Sequence, residues 1–194
     1  MSIWWTDGSY RSPKHARRAN AEVDGRHSSG PVKIRPVPSF DRAEADADAW
    51  MLIALDEARL ALEHGDVPVG AVVVHVPTGH VVARRHNERE RSGDPTAHAE
   101  VLALRDAARE RGGWRLAEHA LVVTIEPCVM CAGAAWAARV PLVVFGAADP
   151  RAGASGSLYN FAADPRLNHA TRILAGVRAA QAAELLQSFF DGRR

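Results

Sequence analysis

Cysteine is almost absent from this chain. There are 2 in 194 residues, too few for a disulfide scaffold, and both fall within Cys128-Val129-Met130-Cys131, a spacing that raises metal or redox chemistry. Charge of one sign is missing too. With 24 basic and 23 acidic residues the net charge is +1, so no strong field announces a nucleic-acid or membrane partner. No apolar run approaches the roughly 18 residues that a membrane span needs. The stretch from Met1 to Arg18 also lacks the apolar core of a secretory signal, and a cytoplasmic protein is expected. What remains is 47% hydrophobic and 24% charged, the composition of one compact domain, at a length that leaves little room for a second.

The first 45 residues differ from the rest. They scatter Arg and Lys among Ser, Gly and Pro without a sustained apolar period, and are expected to be a disordered basic extension. They hold 8 of the 24 basic and 5 of the 23 acidic residues. The segment reads either as a basic arm or as an extension without function, and residues 46–194 as the folded domain.

Within that domain the apolar period is helical from Ala47 to His64, with Gly65 as its stop. Val67 to Val76 and Val81 to His86, joined by a turn over Pro77-Thr78-Gly79-His80, read as a β-hairpin. Asn87 to Gly93 is polar and expected to be loop. Asp94-Pro95 has the form of an N-cap followed by Pro at the first helical position, predicting a helix to about Arg111. A strand over Ala120 to Ile125, an Ala-rich helix from Pro127 to about Arg139 and a strand over Leu142 to Gly146 follow. Beyond the Gly- and Ser-rich stretch from Gly153 to Ser157, Ile173-Leu174 suggests an edge strand and Ala179 to Phe190 a terminal helix. This alternation predicts an α/β fold, a three-layer α/β/α sandwich with a sheet of about five strands.

Two segments carry chemistry, Thr96-Ala97-His98-Ala99-Glu100 and Glu126-Pro127-Cys128-Val129-Met130-Cys131, each at the N-terminal end of a predicted helix. One imidazole and two thiolates suit zinc, and three protein ligands leave a fourth position for water, as in a catalytic site. A helix N-terminus also favours thiolate over thiol. A zinc ion with two thiolates acidifies water less than one held by histidines alone, so a proton-accepting carboxylate is needed, and Glu100 is the one in the segment. Residues i and i+2 of a regular helix diverge by about 200°, so His98 and Glu100 converge only if the site lies at the helix end. A thioredoxin-like redox pair is the other reading of the cysteines, but it has no use for His-x-Glu.

These motifs resemble the zinc-dependent nucleoside and nucleobase deaminases of the cytidine and deoxycytidylate deaminase superfamily, which share H-x-E and P-C-x-x-C. Asp66 to Ala71, Asn87, Phe145 to Ala147, Asp149, Gly153-Ala154, Gly156 to Leu158, Asn168-His169 and Phe189-Phe190 further resemble the bacterial tRNA adenosine deaminases, over roughly residues 50 to 194. The resemblance implies the cytidine-deaminase type of mixed sheet, zinc on His98, Cys128 and Cys131, and Glu100 as proton shuttle. It implies hydrolytic conversion of adenosine to inosine at the wobble position of a tRNA anticodon. By the same resemblance Asn87 reads the base, Ala99 offers a backbone contact, and Asp149 either meets the ribose or caps its own loop. Arg193 and Arg194 either touch phosphates or cap the terminal helix. A homodimer is implied as well, with Trp136, Phe189 and Phe190 as either interface or core aromatics. Ala148 departs from the pattern, which has Arg before the aspartate. The competing functions are a free-base or nucleoside deaminase of the guanine or cytosine type, and a non-catalytic RNA-binding subunit, which would have no need of Glu100.

Overall fold

Gly70 shows how closely the layers of this protein approach. A Cβ there would fall on the backbone of Ala54 and Ala58, so the first helix packs directly against the first strand. The computed structural model describes residues 41–164 and 166–193. Of the extension expected over residues 1–45, residues 1–40 lie outside the described residues, as does Arg194.

The described chain begins with α1 (Asp41–Leu60), which tightens into a 3-10 turn (Ala61–His64) and ends at Gly65 with a φ of 76°. Strands β1 (Gly70–His75) and β2 (His80–His86) follow as an antiparallel hairpin. A short α2 (Arg89–Ser92) precedes α3 (Ala99–Arg111), β3 (His119–Ile125), α4 (Val129–Ala137) and β4 (Leu142–Ala147). The chain closes with β5 (Arg172–Ala175) and α5 (Ala179–Asp191).

The five strands form one mixed sheet in the order β2-β1-β3-β4-β5. β1 is antiparallel to both neighbours, whereas β3, β4 and β5 run parallel. Period-two alternation divides the Val-rich strands between two cores. Val72, Val74, Val122 and Val144 pack against Trp50, Met51 and Leu55 of α1 and Ala182 of α5. Ala71, Val73, Leu121 and Phe145 face Ala103, Leu104 and Ala107 of α3 and Ala135 of α4. The expected three-layer sandwich is therefore present.

Three boundaries differ from expectation. α1 starts at Asp41 rather than Ala47, and Ala43 is already fully buried, so residues 41–45 pack with the domain rather than with an extension. The polar segment after Asn87 contains the turn of helix α2. The third concerns the start of α3, the helix that His98 caps and whose first turn holds Glu100.

Candidate active site and metal centre

The helix expected from Asp94-Pro95 starts instead at Ala99, with His98 as its N-cap. Asp94 is spent on a tight turn: its Oδ1 accepts from the Thr96 backbone N–H and hydroxyl, both at 2.7 Å, and its carbonyl accepts from the Ala97 N–H at 3.1 Å. This Asx-type turn competes with a helix cap for the same carboxylate. Its consequence resolves the i, i+2 difficulty. His98 is extended, at φ −74° and ψ 146°, so its ring leaves the helix end in a direction that a regular helix would not allow. Cys128 is likewise the extended N-cap of α4, and Cys131 lies in that helix's first turn.

The two helix ends bring the ligand atoms of His98, Cys128 and Cys131 within 4.8 Å of one another, a group of three that can hold a metal ion. His98 Nδ1 is 3.8 Å from Cys128 Sγ and 3.6 Å from Cys131 Sγ. Tetrahedral zinc with usual bond lengths separates a nitrogen and a sulfur ligand by about 3.6 Å, which the two nitrogen–sulfur distances match closely. Contact with the Cys131 sulfur, aided by the His98 ring, holds the Cys128 thiol down at about 4. The same sulfur contact and burial push Cys131 up. A cation bound between the two sulfurs takes the place of their remaining thiol proton or protons.

Glu100, in the first turn of α3, is 3% exposed. Burial pushes its carboxyl above the ordinary range, and its Oε2 meets no hydrogen-bond partner among the described residues. A buried carboxyl oxygen without a protein donor beside an open metal position is suited to exchanging protons with water or substrate.

The family model of the cytidine and deoxycytidylate deaminase zinc-binding region matches residues 44–147. The chain belongs to this family. The tRNA-specific adenosine deaminase of Bacillus subtilis is 44% identical over 143 residues, 74% of this chain and 88% of the relative. A solved structure from a study of A-to-I editing by tRNA:A34 deaminases at the wobble position of transfer RNA is 41% identical, with a TM-score of 0.68, covering 71% of this chain and 99% of its own. A guanine deaminase from Nitrosomonas europaea is 25% identical, with a TM-score of 0.62, covering 73% of this chain and 83% of its own. The shared architecture thus serves more than one base, and substrate choice lies in the walls of the site.

Those walls enclose a cavity of about 750 Å³ above the carboxyl ends of the parallel strands β3 and β4, where α/β sheets commonly place ligands. Asn87, Glu100, Asp149 and Arg193 line it, as does Ala148. Asn87 is 5% exposed, and its Oδ1 accepts from the Ala99 N–H at 3.0 Å. Ala99 gives that N–H from a fully buried position and is not among the residues that line the cavity. Asp149 does cap its own loop, Oδ1 accepting from the Arg151 and Ala152 N–H groups at 2.9 and 3.2 Å, while still lining the cavity. Arg193 stacks at 4.1 Å on the Phe189 ring and donates to the Gly65 carbonyl at 2.6 Å, so part of its guanidinium is bound within the protein. Trp136 is half-buried, stacked on His169 with ring centroids 5.3 Å apart.

Two buried carboxylates with structural reach carried no role in the sequence reading. Asp66, 2% exposed, accepts from the N–H groups of Glu90 and Arg91 at 2.9 and 3.1 Å and contacts His64 Nδ1 at 2.9 Å. It anchors α2 beside Asn87. Glu126, 1% exposed, anchors the opposite wall. The available signal in the sequence was an acidic residue set between an apolar strand and Pro127, where a solvated side chain is not expected.

Proposed function

We propose that this protein hydrolytically deaminates adenosine to inosine at the wobble position of a tRNA anticodon. One observation carries the chemistry: buried Glu100, whose Oε2 meets no described partner, lines the same cavity as His98 and Cys128 of the ligand group. Identity of 44% to a tRNA-specific adenosine deaminase supports the substrate. The cavity volume of about 750 Å³ also suits a flipped nucleotide with its flanking backbone better than a free base, which would fill only a fraction of it.

His98, Cys128 and Cys131 hold the metal. Zinc, when bound, supplies a Lewis acid that makes water a nucleophile near neutral pH. Glu100 accepts a proton from the water that attacks C6 of adenine and delivers it to N1; it then takes the second proton, from the hydroxyl now on C6, and passes it to the amino group, which leaves as ammonia as the C6 carbonyl forms. The products are inosine and ammonia, and Glu100 returns to its starting state. Asn87, its Oδ1 held by Ala99, presents its amide N–H to an acceptor on the base. The Asp149 Oδ2, which meets no described donor, accepts from the ribose 2′-hydroxyl, a contact that distinguishes RNA from DNA. Arg193 adds positive charge at the rim.

The protein acts as a homodimer in this reading. α4 and the loop bridged to it expose Val129, Met130, Leu158 and Tyr159, an apolar surface that a second copy would cover. Action on tRNA in the cytoplasm belongs to the same reading, and among the described residues no helix is long and apolar enough to cross a membrane.

The test is inosine formation by zinc-loaded protein on an anticodon stem-loop with adenosine at the wobble position, beside free adenosine, guanine and cytosine. Inosine in the stem-loop alone is expected. Turnover of a free base with the stem-loop untouched would assign the same chemistry to a small-molecule substrate.

A further inference from the structure

Glu126 stands at the end of β3, immediately before Pro127 and two residues before the metal-ligating Cys128. Both of its carboxylate oxygens are occupied. Oε1 accepts from the Ser155 and Ser157 N–H groups at 2.9 and 3.0 Å. Oε2 accepts from the Asp149 N–H at 3.0 Å and from the Ser157 hydroxyl. Every one of these donors belongs to the loop from Asp149 to Ser157, one wall of the substrate cavity. A buried carboxylate is costly unless it is hydrogen-bonded, and charge-assisted bonds of this kind are about twice as strong as neutral ones.

The loop is shaped around this carboxylate. A Cβ on Gly153 would collide with the Glu126 carboxyl carbon and come within 2.6 Å of the Asp149 carbonyl oxygen, so no larger residue fits there without displacing the loop. Gly153 bridges to Cys128, and the Ala154 N–H donates to the Pro127 carbonyl at 2.8 Å. The loop is thus fastened to Glu126, Pro127 and Cys128, where the segment that supplies the sulfur ligands begins. Asp149 and Arg151 face the cavity from it, a carboxylate and a guanidinium suited to a ribose hydroxyl and a phosphate.

We propose that Glu126 is a positioning residue that holds the Asp149–Ser157 wall in register with the metal-ligand segment, and so sets the affinity for the sugar and phosphate groups flanking the reacting base. Its oxygens are already occupied by loop donors, which leaves it no part in proton transfer. The assignment of RNA to that wall rests on the deaminase reading above; the anchoring of the loop does not.

The experiment compares wild type with Glu126→Gln in two assays. In Gln one oxygen becomes an NH2 group that faces N–H donors, so at least one anchor is lost. Kinetics on the anticodon stem-loop should show KM raised about tenfold or more, the saturating rate within about threefold of wild type, and zinc content unchanged; these sizes follow from losing one or two charge-assisted bonds. Limited trypsin digestion read by mass spectrometry should show cleavage after exposed Arg151 accelerated about tenfold or more on the same grounds, with cleavage after Arg166 unchanged. Gly153→Ala, which pushes the loop away while leaving the carboxylate intact, should reproduce both effects. It also decides the matter if the Gln variant does not fold. Unchanged cleavage after Arg151 in the variants overturns the anchoring role. A fall in saturating rate with KM unchanged, or loss of zinc, overturns the positioning role in favour of a catalytic or metal-holding one. If the wild type does not edit the stem-loop, the function reading fails, while the digestion still decides whether Glu126 holds the loop.

Discussion

Glu100 offers the sharpest separation of chemistry from folding. Replacement by Gln preserves its shape in a site where the side chain is 3% exposed, and leaves the three metal-ligating side chains untouched. What is lost is the ability to take up and release a proton. General acid–base catalysis of this kind contributes about 10²- to 10⁴-fold, which at about 1.36 kcal/mol per decade is about 2.7 to 5.4 kcal/mol of barrier. Stability should move the other way or not at all. The native carboxyl is held above its ordinary range by burial, and its Oε2 has no partner among the described residues, so a neutral amide removes a charge that the site disfavours. The assays are single-turnover inosine formation, zinc content by elemental analysis and the midpoint of thermal unfolding. The expected result is a rate lowered by that range, zinc still bound, and a midpoint equal to or above wild type. Loss of zinc would make Glu100 a structural support for the metal, and a rate lowered by less than about tenfold would remove it from the proton path.

Three further predictions concern the scaffold. Gly70→Ala places a methyl group on the backbone of Ala54 and Ala58 and should lower stability by about 1 to 3 kcal/mol or more; an unchanged urea midpoint would contradict the packing of α1 on β1. His119 is buried, and burial together with His75 and Arg111 lowers its pKa to about 4. The unfolded ring, with a pKa of about 6.5, binds its proton first as pH falls. Stability should therefore fall from about pH 6.5 toward about 4, by at most about 1.36 kcal/mol per pH unit, and His119→Phe should flatten that slope in urea titrations. A chain begun at Asp41 should fold and keep its base chemistry, whereas one begun at Met51 loses Ala43, Ala47 and Trp50, each no more than 4% exposed, and should lose its cooperative unfolding transition.

Sequence and tertiary structure contribute at different ranges. The strands and most helix ends were legible because alternation, Gly stops and apolar periods are local signals, as at Gly65. The start of α3 was misplaced because Asp94 can serve either a helix cap or a turn. What favoured the turn was its pairing with Thr96, a contact as local as the cap it displaced.

The sequence by itself determined the reactive set. His-x-Glu and Cys-x-x-Cys place donors of the right type at helix starts, and metal ligation depends on residue chemistry and short spacing. Only the tertiary structure decided which groups were free to meet a substrate. Asn87 gives its Oδ1 to Ala99 across 12 positions of the chain, and Glu126 reaches Asp149 and Ser157 across 23 and 31. Whether a buried carboxylate acts on a substrate or anchors a wall depends on which donors surround it. For Glu100 the structure leaves an oxygen without a described donor, and for Glu126 it fills both, a difference set by long-range packing that no local pattern encodes.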